Sequence, residues 1–262
     1  MNRAMHAAAT GMNAQQLYID TIANNLANVN TTGYKRSKVE FQDLLYETIR
    51  PAGAVTTVGV ETPVQLQVGC GTRPVATPRI FTQGDLTNTG NALDLAIQGD
   101  GFFQILRPDG VTVYTRDGSF KVSADGKIVT AAGYVVQPEI TLPAETQSVL
   151  VGRDGTITVT VAGSNEPYEV GQLELVRFIN PAGLKSIGDN LYEMTVASGE
   201  PIPGTPQSEG FGEVLQGYLE ASNVEVVEEM VNMIVAQRAY EINSKAIRTA
   251  DDMLGIVTNL KR

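Results

Sequence analysis

The two ends of this chain carry apolar residues at helical spacing, and the long stretch between them does not. At the N-terminal end the spacing alternates between three and four residues through Met5, Ala8, Met12, Gln15, Ile19, Ile22 and Leu26. At the C-terminal end a similar row runs through Val224, Val227, Val231, Val235, Ala239, Ile242, Ala246, Ala250, Met253, Val257 and Leu260. Each row predicts an amphipathic helix, and such a helix is stable only when its apolar side packs against a partner.

The two helices are predicted to pair with each other. The first extends from about Arg3 to about Asn28, and the second starts near Asn223, a candidate N-cap, and continues to the end of the chain. Alternating steps of three and four are the spacing of a coiled-coil seam. The second helix also has another apolar row, which consists of Met230, Ile234, Ile247 and Leu254. A helix with two apolar rows can pack on its own partner helix and on a neighbouring subunit, so self-association is expected.

The middle of the chain is predicted to be β-structure. Asp-Gly pairs stand at 100–101, 109–110, 117–118, 125–126 and 154–155, and β-branched and aromatic runs separate them. Turn pairs at this interval are typical of consecutive antiparallel hairpins. Further strands are expected at 147–151, 156–161, 173–178 and 191–196. The expected fold class is therefore α+β, with the terminal helices paired as an α-helical coiled-coil domain and a mainly antiparallel β middle.

Three domains are expected from these shifts in pattern. Residues 1–30 and 224–262 would form a terminal-helix domain, residues 31–94 and 214–223 a connecting domain, and residues 95–213 an outer β domain. Within the connecting domain, residues 41–46 are compatible with a short helix or an apolar knot. Residues 51–63 are expected to be extended or to form a hairpin, because they are rich in Gly, Pro, Thr and Val, and the extended stretch as a whole is set at 46–63. Residues 198–213 read as a Pro- and Gly-rich loop.

Composition limits the possible functions. The net charge is −10, and residues 65–213 carry 9 basic and 17 acidic side chains, which argues against nucleic acid or an anionic membrane as a partner. The sequence has no run of 18 apolar residues that would cross a membrane. It contains one His and one Cys, and no metal-ligand or phosphate-loop motif, so neither an enzyme nor a cofactor is expected. The first 16 residues do not have the pattern of a cleaved signal peptide.

The end segments resemble a known family. IANNLANVNTTGYKR (22–36) is similar to the N-terminal signature of bacterial flagellar rod and hook proteins, and EASNVEVVEEMVNMIVAQRAYEINSKAIRTADDML (220–254) is similar to their C-terminal signature. Shorter matches in the middle are TRDGSF (115–120), GRDG (152–155) and IGDNLY (187–192). The chain length suits a rod protein and is short for a hook protein. Residues 46–63 stand where distal-rod members of the family carry a distinctive extended stretch.

The resemblance implies a structural subunit of a hollow drive shaft. Its terminal helices would form an inner tube by self-assembly in many copies, with proximal-rod and hook subunits as neighbours and ring bushings around the shaft. The subunit would leave the cytoplasm through the flagellar export apparatus without a cleaved signal and would span the periplasm in the basal body. The candidate assembly residues are Met5, Met12, Ile19, Ile22, Leu26, Asn24, Asn28, Val227, Val231, Ile234, Val235, Ile242, Met253, Val257 and Leu260. The candidate residues of the rod-specific stretch are Tyr46, Ile49, Arg50, Pro51, Val58 and Pro63.

Three other functions remain open at this point. The chain would also suit a proximal-rod or hook subunit of the same axial family. A secreted fibre protein with no flagellar role would also have terminal helices with apolar sides that need partners. A periplasmic enzyme acting on carbohydrate would need only a pair of carboxylates, and the chain has 29 acidic residues.

Overall fold

The structure, a computed structural model, describes residues 2–52, 55–57, 60–61, 64–161 and 167–259. The chain forms two units, and each collects segments that are far apart in sequence. The helical unit contains residues 1–26, 37–78 and 225–262, and the β unit contains residues 27–36 and 79–224. Each end of the chain therefore contributes to both units. The three-domain division that the sequence suggests stays a proposal.

The helical unit contains two long helices and a ribbon of short strands. The first helix is α1, Asn2–Ala27, and the second is α2, Val226–Asn259. Neither helix contains proline. At 34 residues, α2 is about 51 Å long. Between them the chain forms β1 (Glu40–Asp43), β2 (Tyr46–Arg50), β3 (Val55–Thr57), β4 (Val60–Glu61), β5 (Leu66–Gly69) and β6 (Thr72–Ala76).

The two helices contact each other in an antiparallel arrangement. Gly11 faces the Asn243 side chain, and the Asn25 amide nitrogen donates a hydrogen bond of 3.3 Å to the Glu229 carboxylate. The two contacts are 14 residues apart on both helices and run in opposite directions, which corresponds to a shared length of about 21 Å. These contacts confirm that the ends of the chain meet. The regular knobs-into-holes packing of a coiled coil stays a prediction.

Gly11 controls how closely α1 approaches α2. A Cβ atom at this position would lie 2.9 Å from Nδ2 of Asn243, which is the mobile end of a side chain. We expect Gly11→Ala to be tolerated, because Asn243 can turn away and alanine favours a helix over glycine by about 1 kcal/mol. Gly11→Leu should push the helices apart and lower the midpoint of urea unfolding of the full-length chain. Equal midpoints for the two variants would show that close approach at this point is not needed.

The strands of the helical unit form a two-stranded antiparallel ribbon. The ribbon pairs β1 with β6, β2 with β5, and β3 with β4. It is attached to α1 at several places, among them a hydrogen bond of 3.3 Å from the Thr72 backbone nitrogen to the Thr10 hydroxyl. The Tyr18 and Phe41 rings meet edge to face at 6.1 Å, and Arg3 forms an ion pair with Glu47. The hairpin considered for 51–63 is confirmed for the described residues, in which β3 pairs with β4. The short helix considered for 41–46 is wrong, because residues on both sides of Leu44 and Leu45 pair as strands.

The β unit is built from antiparallel strands. In chain order they are β7 (Leu86–Asn88), β8 (Leu95–Gln98), β9 (Phe102–Leu106), β10 (Thr112–Thr115), β11 (Lys121–Val122), β12 (Ile128–Val129), β13 (Val135–Gln137), β14 (Thr146–Val151), β15 (Thr156–Val161), β16 (Tyr168–Gln172), β17 (Leu175–Arg177), β18 (Lys185–Gly188), β19 (Leu191–Glu193), β20 (Ile202–Gly204), β21 (Glu213–Gln216) and β22 (Tyr218–Glu220). A single-turn 3-10 helix, Pro181–Gly183, precedes β18.

A nine-stranded sheet organises the β unit. Its main path is β11-β12-β13-β9-β10-β19-β18, and β17 joins β9 to β20. Both faces of the central strand β9 are covered. Phe103 and Ile105 enter the main core, and Phe102 packs in a second, aromatic cluster with Tyr114, Val176, Phe178, Leu184 and Tyr192. Each such side chain contributes about 1.5–3 kcal/mol to folding when it is removed from water.

The Asp-Gly pairs were only partly correct as hairpin markers. The pairs at 109–110, 125–126 and 154–155 do connect paired strands. At 100–101 and at 117–118 the expected hairpins are wrong. β8 pairs with β21 instead of β9, and β10 pairs with β9 and β19 instead of β11. Gly118 has another role here: a Cβ atom would lie 1.6 Å from the Leu95 carbonyl oxygen, so only glycine allows this backbone crossing.

The predicted loop at 198–213 also contains a strand. Residues Ile202–Gly204 form β20, which pairs with β17 at the edge of the sheet. Pro203 hid this strand from sequence reasoning, because proline lacks a backbone donor and is a typical loop residue. An edge strand tolerates it, since one side of the strand has no partner.

Candidate assembly surface

Most of the large apolar side chains of α2 face solvent. The exposed residues are Val226, Val227, Met230, Val231, Ile234, Val235, Ile242, Met253 and Ile256. Val235 and Ile242 are 60% and 65% exposed. A helix of a monomeric protein normally turns this side toward its core. The surface made by these nine side chains is called the α2 apolar face below.

The opposite side of α2 is lined by small and polar residues. Ala236 and Ala250 are buried, as is Glu229, and Asn243 is half-buried. Small side chains let α1 approach closely, which leaves the bulky residues for another partner. The second predicted row, Met230, Ile234, Ile247 and Leu254, therefore does not lie on one side of α2. Ile247 and Leu254 are half-buried, whereas Met230 and Ile234 lie on the α2 apolar face.

The candidate residues on α1 lie mostly on its more protected side. Ile22 is buried and Asn24 is exposed, and the other five are half-buried: Met5, Met12, Ile19, Leu26 and Asn28. On α2 the candidates that are exposed together are Val227, Val231, Ile234, Val235, Ile242 and Met253. The Val257 side chain and Leu260 lie outside the described residues. Participation of these residues in an assembly interface stays a prediction.

The candidate residues of the ribbon are also exposed. This holds for Tyr46, Ile49, Arg50 and Pro51, whereas Val58 and Pro63 lie outside the described residues. Every residue of β2 is exposed on both faces of the ribbon. An exposed two-stranded ribbon has too little core to be stable by itself, so its attachment to α1 and any further partner are important.

A buried charge cluster in the β unit was missed by sequence reasoning. The Lys35 ammonium donates hydrogen bonds to the Thr82 carbonyl, at 2.7 Å, and to the Glu220 carboxylate. The same carboxylate accepts a hydrogen bond from the Gly84 backbone nitrogen, at 3.0 Å, and lies 3.5 Å from the Arg116 guanidinium. All three charged side chains are buried. Burial holds the pKa of the Lys35 ammonium below its ordinary value, and the Glu220 carboxylate opposes that shift.

Two asparagines bond to the backbone of other segments, one within each unit. In the helical unit, Asn25 exchanges two hydrogen bonds of 2.9 Å with the backbone of Ser37. In the β unit, Asn223 accepts a hydrogen bond from the Arg36 backbone nitrogen and donates one to the Ile80 carbonyl, both at 2.8 Å. The N-cap predicted for Asn223 is therefore wrong. Its side chain bridges two strand-like segments, and α2 begins three residues later, at Val226.

Tyr192 is a titratable group inside the aromatic cluster. Its ring lies 5.2 Å from Phe81, and the Arg79 guanidinium lies 5.8 Å from the ring centre. Burial raises the pKa of Tyr192 to about 12, although Arg79 opposes the shift. A raised pKa means that the folded chain keeps a proton that the unfolded chain releases.

We expect the free energy of unfolding to fall between pH 10 and 12 for this reason. The stabilisation from Tyr192 is complete below its unfolded pKa of about 10 and is lost as the pH rises through its folded pKa. The loss should be on the order of 2–3 kcal/mol. Urea unfolding at a series of alkaline pH values measures it. Tyr192→Phe should flatten this part of the profile, and an unchanged slope in that variant would assign the effect to other groups.

Among the residues that the structure describes, no group of His, Cys, Asp or Glu side chains is arranged to ligate a metal ion. Over the same residues, no helix combines the length and the hydropathy that a membrane span requires.

Comparison with known proteins identifies the family. A family profile described as flagella basal body rod protein matches residues 5–35, and one described as flagellar basal body rod FlgEFG protein C-terminal matches residues 215–260. A third, flagellar hook protein FlgE/F/G D1 domain, matches residues 96–159. The flagellar basal-body rod protein FlgG of Borreliella burgdorferi is 55% identical over the full length of both chains. This chain belongs to the family of flagellar basal-body rod proteins.

The similarity extends to distant bacteria. The chain is 50% identical to the FlgG of Buchnera aphidicola subsp. Schizaphis graminum over 96% of each chain. It is 39% identical to the FlgG of Bacillus subtilis over all of both chains. The three profiles match the two ends of this rod protein and part of its β unit. α1, α2 and the buried charge cluster therefore all contain matched residues.

Proposed function

We propose that this rod protein is the structural subunit of the flagellar distal rod. Many copies polymerise into a hollow shaft that crosses the periplasm and transmits torque from the motor to the hook. The observation that carries the proposal is the α2 apolar face, which is too large to stay in water on a protein that works as a monomer. Burial of one of its Val or Ile side chains between copies would contribute about 1.5–3 kcal/mol.

The polymer requires contacts of a particular type. A subunit that uses two different surfaces to contact the next copy makes a heterologous interface, and such an interface grows into a helical filament. In this proposal α1 and α2 line the inner tube, the connecting residues surround it, and the β domain faces the ring bushings. Neighbouring proximal-rod and hook subunits continue the shaft at its two ends. The negative charge of residues 65–213 keeps the outer surface from adhering to the bushing.

The route to this location is part of the proposal. The subunit leaves the cytoplasm through the flagellar export apparatus as an unfolded chain, without cleavage of a signal peptide. A chain whose helices complete their packing only on assembly suits such a route, because little of the helix packing is completed before export. N-terminal sequencing of the subunit from isolated basal bodies tests this point, and a processed N-terminus would contradict it.

A proximal-rod or hook subunit is the alternative. The FlgG relatives and the exposed strand β2 favour the distal rod. Labelling a tagged subunit in isolated basal bodies and locating the label by electron microscopy separates the three positions. A label between the proximal rod and the hook is expected. A label along the hook, or next to the export apparatus only, would contradict the proposal.

We expect deletion of residues 46–63 to change the shape or stiffness of the rod. The deletion removes β2, β3 and β4 of the ribbon but no strand of the β unit. The β unit should fold normally, and electron microscopy of basal bodies should show rods that are curved or flexible. A deletion of residues 51–63 alone, which keeps β2 to pair with β5, is the matched control and should have a weaker effect. Straight, rigid rods from the longer deletion would contradict this role.

A further inference from the structure

A cleft of about 390 Å³ opens in the β unit beside β9 and β17. Phe81, Phe102 and Phe178 line it, and the Phe102 ring contacts the other two at 5.4 and 5.8 Å, edge to face. Ile179 stands at its rim with 81% of its surface exposed. The three rings belong to the aromatic cluster below the sheet, so the cleft has rigid walls. Such a cleft accepts an apolar side chain with little loss of conformational entropy.

The charges around the cleft have a positive excess. Arg116 and Arg177 line it together with Asp100. Behind Arg116 lies the buried cluster, in which Glu220 is shared by Arg116 and Lys35. Lys35 and Glu220 are buried and do not line the cleft, so its lining carries two cations and one carboxylate, and the Nε atom of Arg116 has no hydrogen-bond partner. The cleft therefore favours an apolar group that has a carboxylate beside it.

The ribbon presents a segment with this chemistry. Leu45, at the junction of β1 and β2, is 91% exposed, and Tyr46 next to it is 54% exposed. Asp43 and Glu47 flank the pair, and Asp43 accepts a hydrogen bond from the Tyr46 hydroxyl. An exposed leucine flanked by two acidic residues on a two-stranded support is a compact, preformed ligand.

We propose that the segment 43–47 of one copy docks in this cleft of a second copy, with Leu45 between the phenylalanine rings and Asp43 facing Arg177. This inference rests on the proposed function, because only a polymer places the two surfaces of different copies side by side. Leu45 is open to solvent in the single chain, so its partner is a separate molecule. A second copy matches it in charge and is the most abundant neighbour in a rod.

The contact is heterologous, and this gives the test a distinctive result. Each copy donates one segment and offers one cleft, so linked copies form an open series of dimers, trimers and longer products. A self-complementary contact would stop at dimers. The experiment combines Leu45→Cys and Ile179→Cys in one full-length chain. The chain also carries Cys70→Ser, which removes the single native cysteine so that the two introduced cysteines are the ones that can cross-link. Oxidation of isolated basal bodies should give the ladder of products on a non-reducing gel.

A matched control pair is Leu45→Cys with Leu150→Cys. Leu150 is 64% exposed on β14 and lies outside the residues that line the cleft, so it reports random collision. We expect loss of the ladder in this control. Basal bodies that contain the Leu45→Cys/Ile179→Cys chain but give no ladder, or the same ladder as the control, would overturn the inference. A cross-link from Ile179→Cys to a different flagellar protein would overturn the choice of partner.

Charge exchange provides a second measurement that does not need cysteines. Arg177→Glu should cause a loss of swimming, because Asp43 then faces a like charge, and Asp43→Arg in the same chain should restore swimming. Absence of rescue would count against the pairing. Failure of the proposed function looks different: the unaltered chain itself would then be missing from the rod of isolated basal bodies.

Discussion

Val235→Asp and Ile242→Asp are each expected to abolish rod assembly while the β unit stays folded. Both side chains lie on the α2 apolar face and are 60% and 65% exposed, so a carboxylate there is solvated in the single chain. In the polymer the same carboxylate would be buried between copies without a partner. Burial of an unpaired charge costs more than the 1.5–3 kcal/mol that one apolar contact contributes, and a polymer repeats that cost in every subunit.

The measurement has two parts and one control. Swimming on soft agar and electron microscopy of basal bodies should show no distal rod in either variant. The purified full-length variants should also be unfolded by heat and followed by tyrosine fluorescence. The transition of the β unit should match that of the unaltered protein. Gln237→Asp introduces the same charge in the same stretch of α2 at an exposed polar position and should assemble. Normal rods from Val235→Asp and Ile242→Asp would show that a different face of α2 contacts the neighbouring copies.

Lys35→Met is expected to be the most destabilising single change in the β unit. It leaves the Glu220 carboxylate buried with Arg116, at 3.5 Å, as its remaining charged partner and removes the bond to the Thr82 carbonyl. Removal of one partner from a buried ion pair costs about 3–5 kcal/mol, because the remaining charge is desolvated without full compensation. Urea unfolding of the full-length chain should show a lower midpoint with an unchanged slope.

Lys185→Met is the matched control. Lys185 forms an ion pair with Glu193 at 3.0 Å, and both side chains are exposed. Exposed pairs contribute about 0–1 kcal/mol because water and salt screen them. A loss of stability in Lys35→Met no larger than that of Lys185→Met would show that the cluster does not stabilise the fold. A double variant, Lys35→Met with Glu220→Gln, should recover part of the loss, since it removes the unpaired carboxylate.

Local patterns predicted the regular elements well where the pattern is long. Both helices were found within three residues of their ends at Ala27 and Val226, because an uninterrupted apolar row has few alternative structures. β15, Thr156–Val161, was predicted with its observed bounds. Prediction failed at β20 and at the turn after β10. At β20, pairing with β17 overrides the preference of proline for a loop. After β10, the close approach of Gly118 to the Leu95 backbone overrides the preference of an Asp-Gly pair for a hairpin turn.

The candidate site was predicted in part for a related reason. The sequence indicated that α2 has more apolar surface than one partner helix can cover, and it indicated that 46–63 is extended. It assigned Met230 and Ile234 to the same row as Ile247 and Leu254, because a one-dimensional spacing does not determine where α1 lies. The buried cluster was not foreseen at all. Lys35 and Glu220 are 185 residues apart, and each reads as an ordinary surface charge in its own segment.

The sequence by itself determined the helices at both ends, the antiparallel β middle, the family and the need for neighbouring copies. These follow from residue type and spacing, which act over one or two turns of chain. The tertiary structure alone decided which side of α2 meets α1, through Gly11 opposite Asn243 and Asn25 bonded to Glu229. It also brought Lys35, Arg116 and Glu220 into one dry cluster. Long-range partners of this kind depend on how the whole chain closes, because burial converts an isolated charge from a surface residue into one that must find an opposite charge.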